Sequence, residues 1–130
     1  SHGNQRPAHD NLLMAVNDAT TAFFKDLKAQ GQAQRVLMLT MSEFSRTTLE
    51  NGSKGTDHSG SGAQFLLGPG VKPGIHGQHP SLKKEELIPT GWSLKHTQDF
   101  RSMYASVLEK WMGIPSEPVL GKLPLIDCIK

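Results

Sequence analysis

The feature that most constrains the fold is a change of apolar rhythm between residues 8 and 41. Leu12, Val16, Ala19, Phe23 and Leu27 recur at three- and four-residue steps, while Lys25, Asp26 and Lys28 sit off that stripe. That spacing predicts an amphipathic helix over about 8–30. Pro7 suits the helix entrance and Gly31 the position just past its end. Residues 35–41 then read Arg-Val-Leu-Met-Leu-Thr-Met, a short unbroken apolar run. It predicts a buried strand of the parallel kind, covered on both faces. A helix followed by such a strand belongs to an α/β unit.

The rest of the chain is punctuated by glycine and proline. Residues 42–62 are polar and glycine-rich and are expected to form a loop. Residues 63–67 predict a second short strand, closed by Gly68-Pro69-Gly70. The stretch from Val71 to Thr90 holds most of the remaining Pro and Gly and reads as a long loop, of the kind that is functional or disordered. A second helix is expected over about 97–112, with Phe100, Met103, Tyr104, Val107, Leu108 and Trp111 on its apolar face and Gly113 and Pro115 as stops. The tail from Val119 to Lys130 is apolar enough to pack back in extended form.

Composition excludes several classes. A 130-residue chain with 36% hydrophobic residues forms one compact unit with a core. The net charge is only +2 and the 14 Lys and Arg are scattered, so nucleic acid is not an expected partner. No apolar run approaches the ~20 residues that span a bilayer, so no membrane-embedded segment is expected. Cys128, the single cysteine, leaves no internal disulfide. The chain opens Ser1-His2-Gly3-Asn4-Gln5 with neither an initiator Met nor a signal peptide, and is expected to be a processed or truncated piece.

Three clusters can carry chemistry: Ser1 to Gln5 with His9 beyond, Ser42 to Thr47 after the strand, and Gly55-Thr56-Asp57-His58. Ligands of open α/β sheets bind where loops leave the carboxyl ends of strands, and Glu43 occupies such a place. Asp57-His58 offers a hard oxygen beside an imidazole, a pair that suits zinc and similar ions. Plainer readings stand beside these. Glu43 can cap a loop and pair with Arg46, Asp57-His58 can be an ordinary polar turn, and His2 can be a loose chain end. His76 and His79 read as loop residues without an obvious carboxylate partner, and His96, just before a helix, as a surface residue.

The order of these clusters resembles an uncharacterised, often Tat-exported, sulfatase-like family of the alkaline phosphatase superfamily. Its members carry Asp-Thr-His before a long helix, then Glu-Phe-Gly-Arg-Thr after a strand, a Gly-x-Asp-His loop, and a strand ending in a glycine turn. The matching stretches are Ser1 to Gln5, Ser42-Glu43-Phe44-Ser45-Arg46-Thr47, Gly55 to His58 and Phe65 to Val71, followed by a helix beginning near Thr97. They span nearly the whole chain.

The resemblance implies the C-terminal segment of a three-layer α/β sandwich with a mostly parallel sheet. It implies His2, Glu43, Asp57 and His58 as ligands of a divalent metal (zinc, calcium or manganese), and Arg46 as a binder of an anionic phosphate or sulfate ester. It also implies a periplasmic or exported protein whose missing N-terminal half, or a homo-oligomer partner, completes the fold. This sequence departs from the pattern in three ways: Ser1 stands directly before His2, Phe44 stands where the phosphatases have His, and Ser45 replaces Gly. The family's nucleophile has no counterpart in the chain, and Cys128 lacks its motif. The chain by itself is therefore expected to be inactive. The alternative is a non-catalytic exported binding or surface protein that keeps the fold.

Overall fold

The computed structural model describes residues 1–89 and 92–130. Helix α1 runs Gln5–Ala29, close to the expected span but three residues earlier. Pro7 lies in its first turn, where the missing N–H has no intrahelical acceptor to lose. The amides of Asn4 and Gln5 instead donate to the carbonyls of Ser53 and Lys54, each at 2.9 Å. Gly31 adopts φ 67° just beyond the helix, a left-handed turn that glycine enters without a Cβ clash. No residue of α1 is buried, and Leu12 and Val16 are each 60% exposed. The stripe exists, but no described residue buries it.

The apolar run at 35–41 opens as a 3-10 turn at Ala33–Arg35 and yields the two-residue strand β1, Met38–Leu39. The chain then forms β2 at Ser45–Arg46 and β3 at His58–Ser59, inside the stretch expected to be loop. Strand β4, Leu66–Leu67, closes the series. β1 pairs with β4 through Met38↔Leu67 and Leu39↔Leu66, and β2 pairs with β3 through Ser45↔Ser59 and Arg46↔His58.

Both ladders are antiparallel, which corrects the expectation of a parallel-type strand at 35–41. A parallel pairing needs a crossover, usually a helix, and the chain between β1 and β4 contains none. With β4 as its only ladder partner among the described residues, the run from Val36 to Thr40 is half-buried rather than buried, and Met41 is exposed.

Helix α2 runs Phe100–Ser106 and continues as a π turn, Val107–Trp111. Its start is set by Asp99, whose carboxylate accepts the Arg101 amide at 2.9 Å. The core gathers Ile126, Cys128 and Ile129 of the tail against Leu37, Leu66, Met103, Val107 and Trp111. The tail therefore packs back as expected, after the short helix α3 at Glu117–Leu120. Ile129 bridges to Val71, and the buried Ser106 Oγ accepts the Ile126 amide at 2.7 Å. Phe100, expected on the inner face of α2, is 59% exposed. Residues 71–89 of the second expected loop carry one 3-10 turn, Lys84–Glu86; its last residue, Thr90, lies outside the described residues. Among the described residues, no helix is long and apolar enough to cross a membrane.

Candidate functional site

The loop from 42 to 62 and the start of the chain build one site together. The β2–β3 ladder sets Arg46 opposite His58, and it extends by one step as Thr47 N donates to Asp57 O at 3.0 Å. Asn51 organises the connection. Its Oδ1 accepts the amides of Ser53 and Gly55 at 2.9 and 3.0 Å. Its Nδ2 donates to the His2 carbonyl and to Asp57 Oδ1, both at 3.0 Å. Further bonds dock the chain start: Thr56 N donates to Ser1 O at 3.0 Å, and Thr56 Oγ1 donates to Gln5 Oε1 at 2.7 Å. The approach is close enough to require glycine at 55, where an added Cβ would lie 2.4 Å from the His2 carbonyl carbon.

His2 sits at the centre of the resulting cluster. Its Nδ1 lies 3.2 Å from Asp57 Oδ1, its Nε2 lies 3.0 Å from His58 Nε2, and Arg46 Nη1 is 3.4 Å from the same His2 nitrogen. A carboxylate only accepts, so the Asp57 contact places a proton on His2 Nδ1. Neutral His2 then presents a lone pair on Nε2 toward His58. The Phe44 ring stacks on His58 at 3.7 Å between centroids with a 12° tilt, and the Arg46 guanidinium carbon lies 5.1 Å from the centre of the same Phe44 ring. Arg46 is also held by a bond from Nη1 to the Thr56 carbonyl at 3.1 Å. The Asn51 hydrogen bond, then that of His2, holds the Asp57 carboxyl below its ordinary value of 3.8. The His2 and Asp57 side chains are 58% and 61% exposed, so water screens the contact between them heavily.

The structure brings together His2, Asp57, His58 and Arg46. Glu43 is exposed and joins none of these contacts. Among the described residues, no three His, Cys, Asp or Glu side chains form a set able to hold a metal ion. The reason lies in the imidazole of His2, which turns one nitrogen to Asp57 and the other to His58. Asp57 thus takes the place of an orienting carboxylate behind a ligand, the usual partner of a metal-bound histidine. The residues present fit a cation only in part, through the two facing Nε2 atoms, and the adjacent guanidinium adds like charge.

Asn51 and Trp92 were not singled out by the sequence. The Asn51-Gly52 pair is a turn signal, and the Asn51 bond to the amide two residues on is the turn it announces. Trp92 carried no such signal. Among the described residues, His76 and His79 bond to the carbonyls of Lys72 and Pro80, as loop residues do.

A family model described as "Protein of unknown function (DUF1501)" matches residues 1–123. No curated protein and no solved structure matches the chain.

Proposed function

The chain belongs to the DUF1501 family, and we propose that its His2–Asp57–His58–Arg46 cluster is part of the site of a phosphate- or sulfate-ester hydrolase-like protein of the alkaline phosphatase superfamily. One observation carries the reading. Two imidazole nitrogens from residues 56 positions apart face each other at 3.0 Å, with a carboxylate behind one ring and a guanidinium alongside. Such a convergence serves an anion or a cation better than it serves folding, because the exposed side chains bury little apolar surface.

The roles follow from the groups. Arg46 spends Nη1 on the Thr56 carbonyl and the His2 ring; its other N–H groups, without a partner among the described residues, suit a phosphate or sulfate oxygen. Asp57 holds His2 with Nε2 free of a proton, and Asn51 holds Asp57. The facing His2 and His58 nitrogens would hold a divalent cation (zinc, manganese or calcium), which would supply a Lewis acid for the ester oxygen. Glu43 enters as a further ligand by the family resemblance alone. No residue in the chain is assigned as nucleophile, so residues 1–130 by themselves bind without turnover.

The same reading includes the fold and the partner. The uncovered stripe of α1 and the half-buried run at 36–40 support a further covering layer; that the whole is a three-layer α/β sandwich with a mostly parallel sheet rests on the resemblance alone. A further part of such a domain, or a second copy, covers them. Export to the periplasm rests on the resemblance.

Phe44 favours a second reading. Stacked on His58 where a histidine would add a ligand, it suits a binding protein that has given up catalysis. Calorimetric titration with zinc, manganese and calcium, followed by assays on p-nitrophenyl phosphate and sulfate, decides between them. The ester reading expects uptake of one metal, lost in His2→Ala and His58→Ala, and hydrolysis by the longer protein that contains this chain. Uptake without hydrolysis of either ester moves the assignment to the binding protein, and no uptake at all ends the metal-site reading.

A further inference from the structure

Beside the cluster lies a cavity of about 250 Å³, lined by Thr47, Leu49, Glu50, Asp57, His58 and Trp92 among others. It falls just below the ~300 Å³ at which drug-sized pockets begin, so it has room for about one ring. The indole is brought there at a conformational cost. Trp92 has φ 49°, a left-handed backbone that a bulky side chain rarely adopts. Three sets of hydrogen bonds hold this segment against the site loop. The Trp92 carbonyl accepts Thr48 N at 3.3 Å and Thr48 Oγ1 at 2.8 Å. Ser59 Oγ donates to Ser93 Oγ at 2.7 Å, and Ser61 Oγ donates to the Leu94 carbonyl at 2.8 Å. Strain maintained by its surroundings is a mark of functional positions.

We propose that this cavity binds a saccharide ring, stacked on Trp92 with its hydroxyls donated to Glu50 and Asp57. The polar groups select this ligand class. Among the described residues the Glu50 carboxylate takes no hydrogen bond, and Asp57 receives side-chain bonds only at Oδ1, so carboxylate acceptors remain open to hydroxyl donors. Asn51 is fully used by its neighbours and competes for none of them. The electron-rich face of an indole attracts the weakly positive C–H edges of a pyranose. An organic cation is the other ligand that an acidic, aromatic cavity invites. It is disfavoured because Lys84 Nζ, 5.1 Å from the Trp92 ring centroid, sets a like charge beside the ring that a neutral sugar does not feel. An anionic ester group is repelled by Glu50 and Asp57 and belongs on the Arg46 side. Joined to the proposed function, the cavity makes the ester's alcohol a sugar, a step that rests on that reading; the saccharide site itself stands on Trp92 and Glu50.

Saturation-transfer NMR of the protein with methyl glucoside, methyl galactoside and N-acetylglucosamine tests this, with benzyltrimethylammonium as the cationic probe. At least one saccharide is expected to bind, with affinity on the order of millimolar. Trp92→Ala should weaken it about tenfold or more, Trp92→Phe should retain most of it, and Glu50→Gln should weaken it. The Phe variant separates loss of the aromatic face from loss of the fold. No transfer to any of the three saccharides overturns the proposal, as does transfer unchanged in Trp92→Ala or transfer to the ammonium probe alone. Saccharide binding without metal uptake would retire the ester reading and leave this one standing, and metal uptake without saccharide binding would do the reverse.

Discussion

His2 Nε2 and His58 Nε2 face each other at 3.0 Å across 56 residues of chain. Two ring nitrogens at that distance hold one proton between them, as donor and acceptor. Asp57 on the far nitrogen of His2 sets the direction, with His58 the donor. The contact joins the chain start to strand β3.

Asp57→Asn tests whether the carboxylate orients His2 or merely neighbours it. If it orients the ring, as carboxylates behind metal-bound histidines do, the substitution costs ~10–100-fold in affinity for whichever of zinc, manganese or calcium binds. Calorimetric titration measures it. An affinity change below about twofold would place Asp57 outside the site.

The lowered Asp57 pKa gives a pH prediction. A carboxyl depressed in the folded state contributes stability that is present above its ordinary value of 3.8 and is lost as pH falls through the folded value. Asn51→Ala removes the largest cause, so the folded value rises back toward 3.8 and the acid limb of the stability profile loses this contribution. Carboxyl carbon shifts followed by NMR titration should show the Asp57 midpoint rising in the variant. An unmoved midpoint would assign the depression elsewhere.

Gly55→Ala should detach the chain start. The added Cβ meets the His2 backbone at 2.4 Å and the Ser1 carbonyl at 2.5 Å, main-chain atoms that cannot swing aside. The expected result is loss of the His2–His58 contact in NMR spectra, with the α2 and tail core intact. Retention of the contact would show that the loop can shift to accommodate the methyl.

Ser106→Ala removes the acceptor of the buried Ile126 amide. An unsatisfied buried donor costs about 1–3 kcal/mol, and chemical denaturation should show a loss in that range. A change below about 0.5 kcal/mol would mean that water or a backbone shift replaces the bond.

Cys128 should resist thiol reagents in the folded protein. Burial raises its pKa above the ordinary 9.0, its side chain has no exposed surface, and the thiolate is the reactive form. Labelling by iodoacetamide at mild alkaline pH should be slow in the native state and fast in denaturant. Equal rates would show that the tail opens readily.

The sequence by itself settled what is local. The stripe from Leu12 to Leu27 and the glycine at 31 placed α1 to within three residues, because helix propensity and capping act over one or two turns. The run at 97–112 marked a helix, although Asp99 delayed its start and a π turn finished it. The runs at 35–41 and 63–67 marked where strands form, although only Met38–Leu39 and Leu66–Leu67 do so. Their antiparallel pairing was not legible, since strand direction depends on how the connecting chain returns, and no residue in β1 or β4 encodes that path. The candidate site divides in the same way. His2, Arg46, Asp57 and His58 stood out by residue type. Their convergence came from the β2–β3 ladder within an apparent loop and from Asn51 stitching the chain start to it. Trp92 reached its cavity through bonds that include those to Thr48, 44 residues away, and those of its neighbours Ser93 and Leu94 to Ser59 and Ser61. Contacts at such separations are selected by the whole packed chain, which is why only the tertiary structure decided them.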